Sequence, residues 1–253
     1  MRVANALVAR VLAELAETVA PGVTTRDLDA LAEKLVRAGG AEPAFKGYRG
    51  YPATLCASVN EQVVHGIPSA RPLDEGDIVS LDMGVKLNGF YGDSAITVPV
   101  GEVSPEVRRL LQATQAALQQ GISQVRVGGR ISDIGHAIQQ HVESEGFSVV
   151  REFVGHGIGS ALHEEPQIAN YGDPGRGPRL AEGMTLAIEP MVNTGRPSVK
   201  VLADGWTAVT RDGSLSAHFE HTVAVTKDGP LVLTRATHGS RFKVHGSRFE
   251  SAS

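Results

Sequence analysis

The sequence predicts an α+β fold made of two similar halves, and three observations carry that expectation. Stretches of helical periodicity come in pairs, each pair is followed by short β-rich runs, and the order helix, helix, strands occurs twice. The second and third observations are internal echoes. "PGVTTRDLDALA" at 21–32 resembles "VGGRISDIGHAI" at 127–138, and "LDEGDIVSLDMG" at 73–84 runs alongside "LAEGMTLAIEPM" at 180–191. Offsets of 106 and 107 match Gly22 to Gly128, Asp27 to Asp133, Glu75 to Glu182 and Asp82 to Glu189. Two echoes at nearly one offset are hard to obtain from a common turn habit alone. A pseudo-twofold relation between the halves would set one sheet strand from each beside the axis and build a single site from matched acidic residues.

The elements follow in order. Val3, Leu7, Val8, Val11, Leu12, Leu15 and Val19 fall on one helical stripe, while Arg10, Glu14 and Glu17 interrupt any continuous apolar run. That pattern is a structural helix and not a targeting signal. After Pro21-Gly22, "TTRDLDALAEKLVRAGG" predicts a second helix with Thr25 as cap and a glycine pair at its end. From about 53 to 100 the chain turns to strands, with Val, Ile and Thr enriched. Helix returns at 104–120 behind a Ser104 cap and Pro105, and a fourth helix follows Ser132. Strands dominate again from 148. One catalytic domain is expected over 1–237, with halves at about 1–103 and 104–235. The tail from 238 to 253, which repeats His-Gly-Ser-Arg-Phe at 238 and 245, is expected to be disordered.

Composition bounds the function. At 253 residues and 42% hydrophobic, the chain can bury a large core. Its net charge of −4 lacks the basic excess of a dedicated nucleic-acid binder. A single cysteine, Cys56, excludes an intramolecular disulfide framework and a Cys-rich zinc finger, and it suits a reducing compartment, the cytoplasm by default. No window approaches the roughly 20 apolar residues of a membrane-spanning helix.

The chemistry lies among acids. If Asn88-Gly89 forms a type I′ turn, Leu87 pairs with Phe90 and Asp82 with Ala95, and Asp93 becomes the diagonal neighbour of Asp82 on one face. Such neighbours have Cα atoms roughly 7 to 8 Å apart. Two ionised carboxylates there would repel, so either the pair lies on a wet sheet face or a cation sits between them. Glu189 and Glu220 favour the cation, because both lie in apolar strand sequences where unpaired acids are rare. Between the Asp pair and Glu189, "GHGIGSALHEEP" carries His156 and His163. A set of two Asp, one His and two Glu suits Mn, Fe, Co or Zn. Two such ions, about 3.5 to 4 Å apart, would use all five residues in hydrolysis.

Six blocks of the chain then resemble one family. They are "PGVTTRDLD", "PAFKGYRGYPATLCASVNEQVVHGIP", "DIVSLDMGVKLNGFYGDSAIT", "GHGIGSALHEEPQI", "EGMTLAIEPM" and "GWTAVTRDGSLSAHFEHTVAVT", which together cover most of 1–235. The chain is similar to the type I methionine aminopeptidases, whose pita-bread fold sets pseudo-twofold halves around a curved antiparallel sheet. The resemblance implies Asp82, Asp93, His156, Glu189 and Glu220 as ligands of two divalent metal ions, with Asp93 and Glu220 touching both. It implies Glu189 as general base and acid, and His65 and His163 as hydrogen-bond partners of the scissile peptide. Tyr48, Tyr51, Cys56 and Trp206 would form the methionine pocket, with Phe45 and Leu162 beside it. The implied activity is removal of the initiator methionine when the second residue is small, and the implied partners are N-termini of nascent peptides, with transient ribosome contact. A monomer is expected. Two rivals remain at this level: an aminopeptidase that prefers proline at the second position, and a non-catalytic binding protein on the same scaffold.

Overall fold

The computed structural model describes residues 1–235, so the expectation of a disordered tail at 238–253 lies outside the described residues. The first half runs α1 (Arg2–Thr18), α2 (Thr25–Ala38), β1 (Glu42–Pro43), β2 (Leu55–Val59), β3 (Gln62–Val64), β4 (Ile78–Leu87) and β5 (Phe90–Pro99). The second begins with α3 (Pro105–Ser123), α4 (Ile131–Ser144), β6 (Ser148–Val149), β7 (Gly155–Gly157), β8 (Glu164–Ile168) and β9 (Thr185–Ile188). It continues with β10 (Met191–Asn193), β11 (Val199–Val201), β12 (Ala208–Thr210), β13 (Ser216–His218), β14 (His221–Thr226) and β15 (Gly229–Val232).

Every strand pairing is antiparallel. In the first half β4 lies between β2 and β5, and in the second β9 lies between β7 and β14. The sequence echo corresponds to matched hydrogen bonds. Gly22 donates to Leu73 O at 2.8 Å, and Gly128 donates to Leu180 O at the same distance. Both glycines have left-handed backbone, with φ of 89° and 84°, which glycine adopts without steric cost. The Asp27 carboxylate accepts from Thr24 N–H and the Asp133 carboxylate from Arg130 N–H, closing the first turns of α2 and α4 alike.

Each helix pair covers its own half. Leu7, Val8, Leu12 and Leu15 of α1 and Leu28 of α2 pack on Leu81 and Met83. Leu110 and Leu118 of α3 and Ile134 and Ile138 of α4 pack on Leu186 and Ile188. Ile96 of β5 touches both cores. The seam between halves is polar. Glu220 N–H donates to Ala95 O at 2.9 Å, Ser94 Oγ to Glu220 O at 2.6 Å, Thr222 Oγ1 to Asp93 O at 2.7 Å, and His218 N–H to Thr97 Oγ1 at 2.8 Å. These bonds satisfy backbone groups that would otherwise be stranded where two strands approach.

Local expectations fare unevenly. The type I′ hairpin forms, with φ of 51° at Asn88 and 79° at Gly89, and Leu87 opposite Phe90. Ser104 caps α3 and Pro105 opens it. Thr24, not Thr25, caps α2, because the Thr25 hydroxyl is occupied with Ser69, accepting its N–H at 2.8 Å. Ser132 lies inside α4, which starts at Ile131, and its hydroxyl accepts from Arg176 N–H. Val3 leaves the apolar stripe and is 66% exposed at the open start of α1. Residues 208–210, just after Trp206, form the central strand β12 between β11 and β3.

Candidate metal centre

Two hairpin-like pairs aim their acids at the seam. On the first, Asp82 stands opposite Ala95 and Asp93 opposite Gly84, so the two carboxylates share one face two residue pairs apart. On the second, Glu189 follows β9 and Glu220 precedes β14, at the end of a ladder that pairs Ile188 with His221. The strands β10 to β13 are inserted between them, which explains a separation of 31 residues in sequence for neighbours in space. His156 comes from β7, opposite Ala187.

The acids are buried and crowded. Asp93 is 4% exposed and Glu220 is 2% exposed, and Asp82 is buried with them. His156 Nε2 lies 3.5 Å from Glu189 Oε1 and 4.0 Å from Asp93 Oδ2. Asp93, His156 and Glu220 each offer a ligand atom within 4.8 Å of the others. Burial raises the Asp82 carboxyl to about 7. Burial lifts Asp93 well above the usual range, with Asp82 and Glu189 adding to it, and it lifts Glu220 with help from Asp93, Glu189 and Asp82. Glu189 is raised by burial and then by Asp82. Proteins bury carboxylates this densely only with compensation.

A divalent cation fits this compensation. Asp82 Oδ1, Asp93 Oδ1 and Glu220 Oε1 are buried without a hydrogen-bond partner. The His156 Nδ1 lies 2.8 Å from its neighbour's carbonyl, Gly157 O, and donates to it in the tautomer whose Nε2 lone pair faces the acids. That arrangement is the usual outer support of a metal-bound imidazole. Asn170, which the sequence did not single out, donates to Glu189 O at 3.1 Å and fixes the backbone of that acid.

The acids form one end of a crevice of about 190 Å³, and all thirteen residues singled out from the sequence line it. One wall is apolar and aromatic: Tyr51 meets Trp206 edge to face at 5.1 Å, next to buried Cys56. Burial pushes the Cys56 thiol up, so it stays protonated. Tyr48 packs in a second cluster with Leu162, and Phe45 touches both clusters. His65 ends β3 in a left-handed conformation, φ 61°, unusual for a side-chain-bearing residue. Its ring meets Phe153 at 5.4 Å, and burial lowers its basicity. His163 stacks on Tyr48, with Nδ1 2.9 Å from the phenolic oxygen, and its ring lies 4.2 Å from that of His156. Loss of solvent in the crevice, then His156, Arg49 and His65, push it down to about 4. Both histidines are therefore neutral near pH 7.

Arg49, Val64, Phe153 and Val154 also line the crevice. Arg49 lies within the "GYRGYP" block, whereas Val64, Phe153 and Val154 carry no chemistry that a one-dimensional reading could have flagged.

Comparison with known proteins agrees with this geometry. The chain is 54% identical to methionine aminopeptidase 1 of Bacillus subtilis, covering 93% of this chain and 95% of the relative. It is 53% identical to the methionine aminopeptidase of Clostridium perfringens, covering 92% and 94%. The crystal structure of methionine aminopeptidase from Rickettsia prowazekii superposes with a TM-score of 0.92 at 45% identity, covering 93% of this chain and 95% of that one. A prolidase from Pyrococcus furiosus, at 22% identity, 94% coverage of this chain and 63% of its own, shares the fold alone with a TM-score of 0.76. The architecture is thus the pita-bread fold. Residues 1–227 match metallopeptidase family M24, and the chain belongs to that family.

Proposed function

We propose that this chain is a metal-dependent methionyl aminopeptidase, removing the N-terminal methionine of peptides and nascent proteins whose second residue is small. One observation carries this reading: the buried acid cluster and the aromatic wall with Cys56 share a single crevice. A thioether is long, flexible and polarizable, and it packs well against aromatic faces and sulfur. Asp82, Asp93, His156, Glu189 and Glu220 would hold two ions of Mn, Fe, Co or Zn. Bound dications supply Lewis acidity toward a water and toward the scissile carbonyl.

The chain's own groups do the rest. Glu189, whose Oε1 stands 3.5 Å from His156 Nε2 at the edge of the crevice, accepts the proton of the attacking water and passes it to the leaving amine. Neutral His163, whose Nδ1 is engaged by Tyr48, presents its Nε2–H to the carbonyl oxygen as negative charge develops there. His65, fixed by its strained backbone and Phe153, donates to the scissile peptide from the other side. Tyr51, whose phenolic oxygen is 2.9 Å from Gly66 O, keeps the pocket wall registered with the His65 segment.

The catalytic domain extends in this reading to residue 237, acts as a cytoplasmic monomer, and meets nascent chains through transient ribosome contact. No described helix is long and apolar enough to cross a membrane. The test is methionine release from Met-Ala-Ser after chelation and reloading across a metal series, beside alanine release from Ala-Pro-Ser. Release of alanine but not methionine would move the chain to the proline-preferring class. No release with any metal, together with equal partner binding by wild type and Glu189→Gln, would favour a binding scaffold.

A further inference from the structure

The geometry points to Arg49 as the group that recognises carboxylates on the substrate residues downstream of the cleaved bond, an inference that rests on the peptidase reading above. Among the described residues lining the crevice, Arg49 alone carries a permanent positive charge. It has no carboxylate within ion-pair distance among the described residues, whereas nearby Lys46 is held by Glu33 at 2.7 Å. The guanidinium is nevertheless placed: its carbon stands 5.3 Å over the Tyr48 ring, and Tyr48 in turn meets His163.

The backbone adds to this placement. Arg49 has φ 50°, in the left-handed region, within a short turn closed by Gly47 N–H to Tyr51 O at 2.7 Å and Tyr51 N–H to Tyr48 O at 2.9 Å. A bound peptide has its amino end at the buried acids and its first side chain against the buried Tyr51 and Cys56 wall. The rest of the chain leaves through the exposed side, where His163 and Arg49 stand. An acidic side chain two or three residues past the scissile bond meets the planar fork there, and a lysine meets repulsion.

Three C-terminally amidated peptides, Met-Ala-Ser-Ser-Ser, Met-Ala-Asp-Asp-Ser and Met-Ala-Lys-Lys-Ser, test this on the metal-loaded protein. A fourth, the neutral peptide with a free C-terminus, separates side-chain carboxylates from a terminal one. The acidic peptide should exceed the lysine peptide in kcat/KM by about fivefold at low ionic strength, carried by KM, with the ratio shrinking as salt is added. Arg49→Gln should bring the ratio near one, and Arg49→Lys should keep part of it. Quenching of Trp206, the only tryptophan, by analogues with a reduced first amide gives a binding readout free of turnover. The same acid preference there, lost in Arg49→Gln, supports the assignment. An equal acid-to-lysine ratio in wild type and Arg49→Gln, by either readout, overturns it. Absence of methionine release from every peptide, with the binding preference intact, overturns the peptidase reading and leaves Arg49 as a peptide-binding group.

Discussion

At the scale of single residues, the proposed function gives equally buried acids different roles, ligand or proton carrier, and position separates them. Glu189 adjoins both the buried acid cluster and the crevice, so Glu189→Gln should lower kcat by about 10²- to 10⁴-fold while methionine peptides still bind, as single-turnover assays would show. Asp93 and Glu220 sit deeper, each with a buried oxygen that no hydrogen bond among the described residues satisfies. Asp93→Asn should therefore lower metal affinity by at least about tenfold, measured by calorimetric titration of chelated protein. His163→Ala removes a donor at the carbonyl and should cost about 10²-fold in kcat, with little change in KM. Glu189 and Glu220 were legible in sequence because unpaired acids in apolar strands are rare, and Asp82 and Asp93 because the Asn88-Gly89 turn sets them on one face. Asn170 was not, because its hydrogen bond to the Glu189 backbone follows from packing alone.

At the scale of elements, short polar staples hold the site-bearing strands. Asp29 of α2 accepts from both Thr54 and Leu55 N–H at 2.9 Å, pinning the start of β2, the strand that carries Cys56 beside Asp82. Asp29→Ala should cost about 1 to 2 kcal/mol in denaturant unfolding, since two backbone donors lose a charged acceptor. Asp212 organises the turn between β12 and β13 by accepting from Arg196 N–H and from the Ser214 backbone and hydroxyl, which hold its carboxyl down at about 2. A depressed carboxyl stabilises the fold fully above its ordinary value and loses that contribution as pH falls toward the folded one. The Tm gap between wild type and Asp212→Ala should accordingly be widest near neutrality and close between about pH 4 and 2. Helix starts were legible to within two residues. Thr24 and Thr25 are chemically alike at the α2 boundary, and only the Ser69 contact decides which one caps.

For the whole molecule, the seam concentrates like charge where two halves meet, and a bound cation is the natural counterweight. Because the site exists only when both halves are folded, a metal that binds the native state stabilises the whole domain by linkage, by about 2.7 kcal/mol at a hundredfold excess over its Kd. Metal addition should raise Tm, chelation should reverse the gain, and Asp93→Asn should blunt it. The same seam explains why the second half carries its acids 31 residues apart: β10 to β13 are inserted there, and Trp206 in that insert meets Tyr51 from the first half.

By itself the sequence determined the duplicated α+β plan, the register of the Asn88-Gly89 hairpin and the identities of the buried acids. Each of these follows from local rules: periodicity, turn chemistry and the cost of desolvating charge. Only the tertiary structure decided that β12 is a strand, that Val3 stays in solvent, and that Arg49, unpaired among the described residues, stands beside Tyr48 at the crevice mouth. Those outcomes depend on which distant segment arrives to pair or cover, and no local pattern encodes the arrival of a partner.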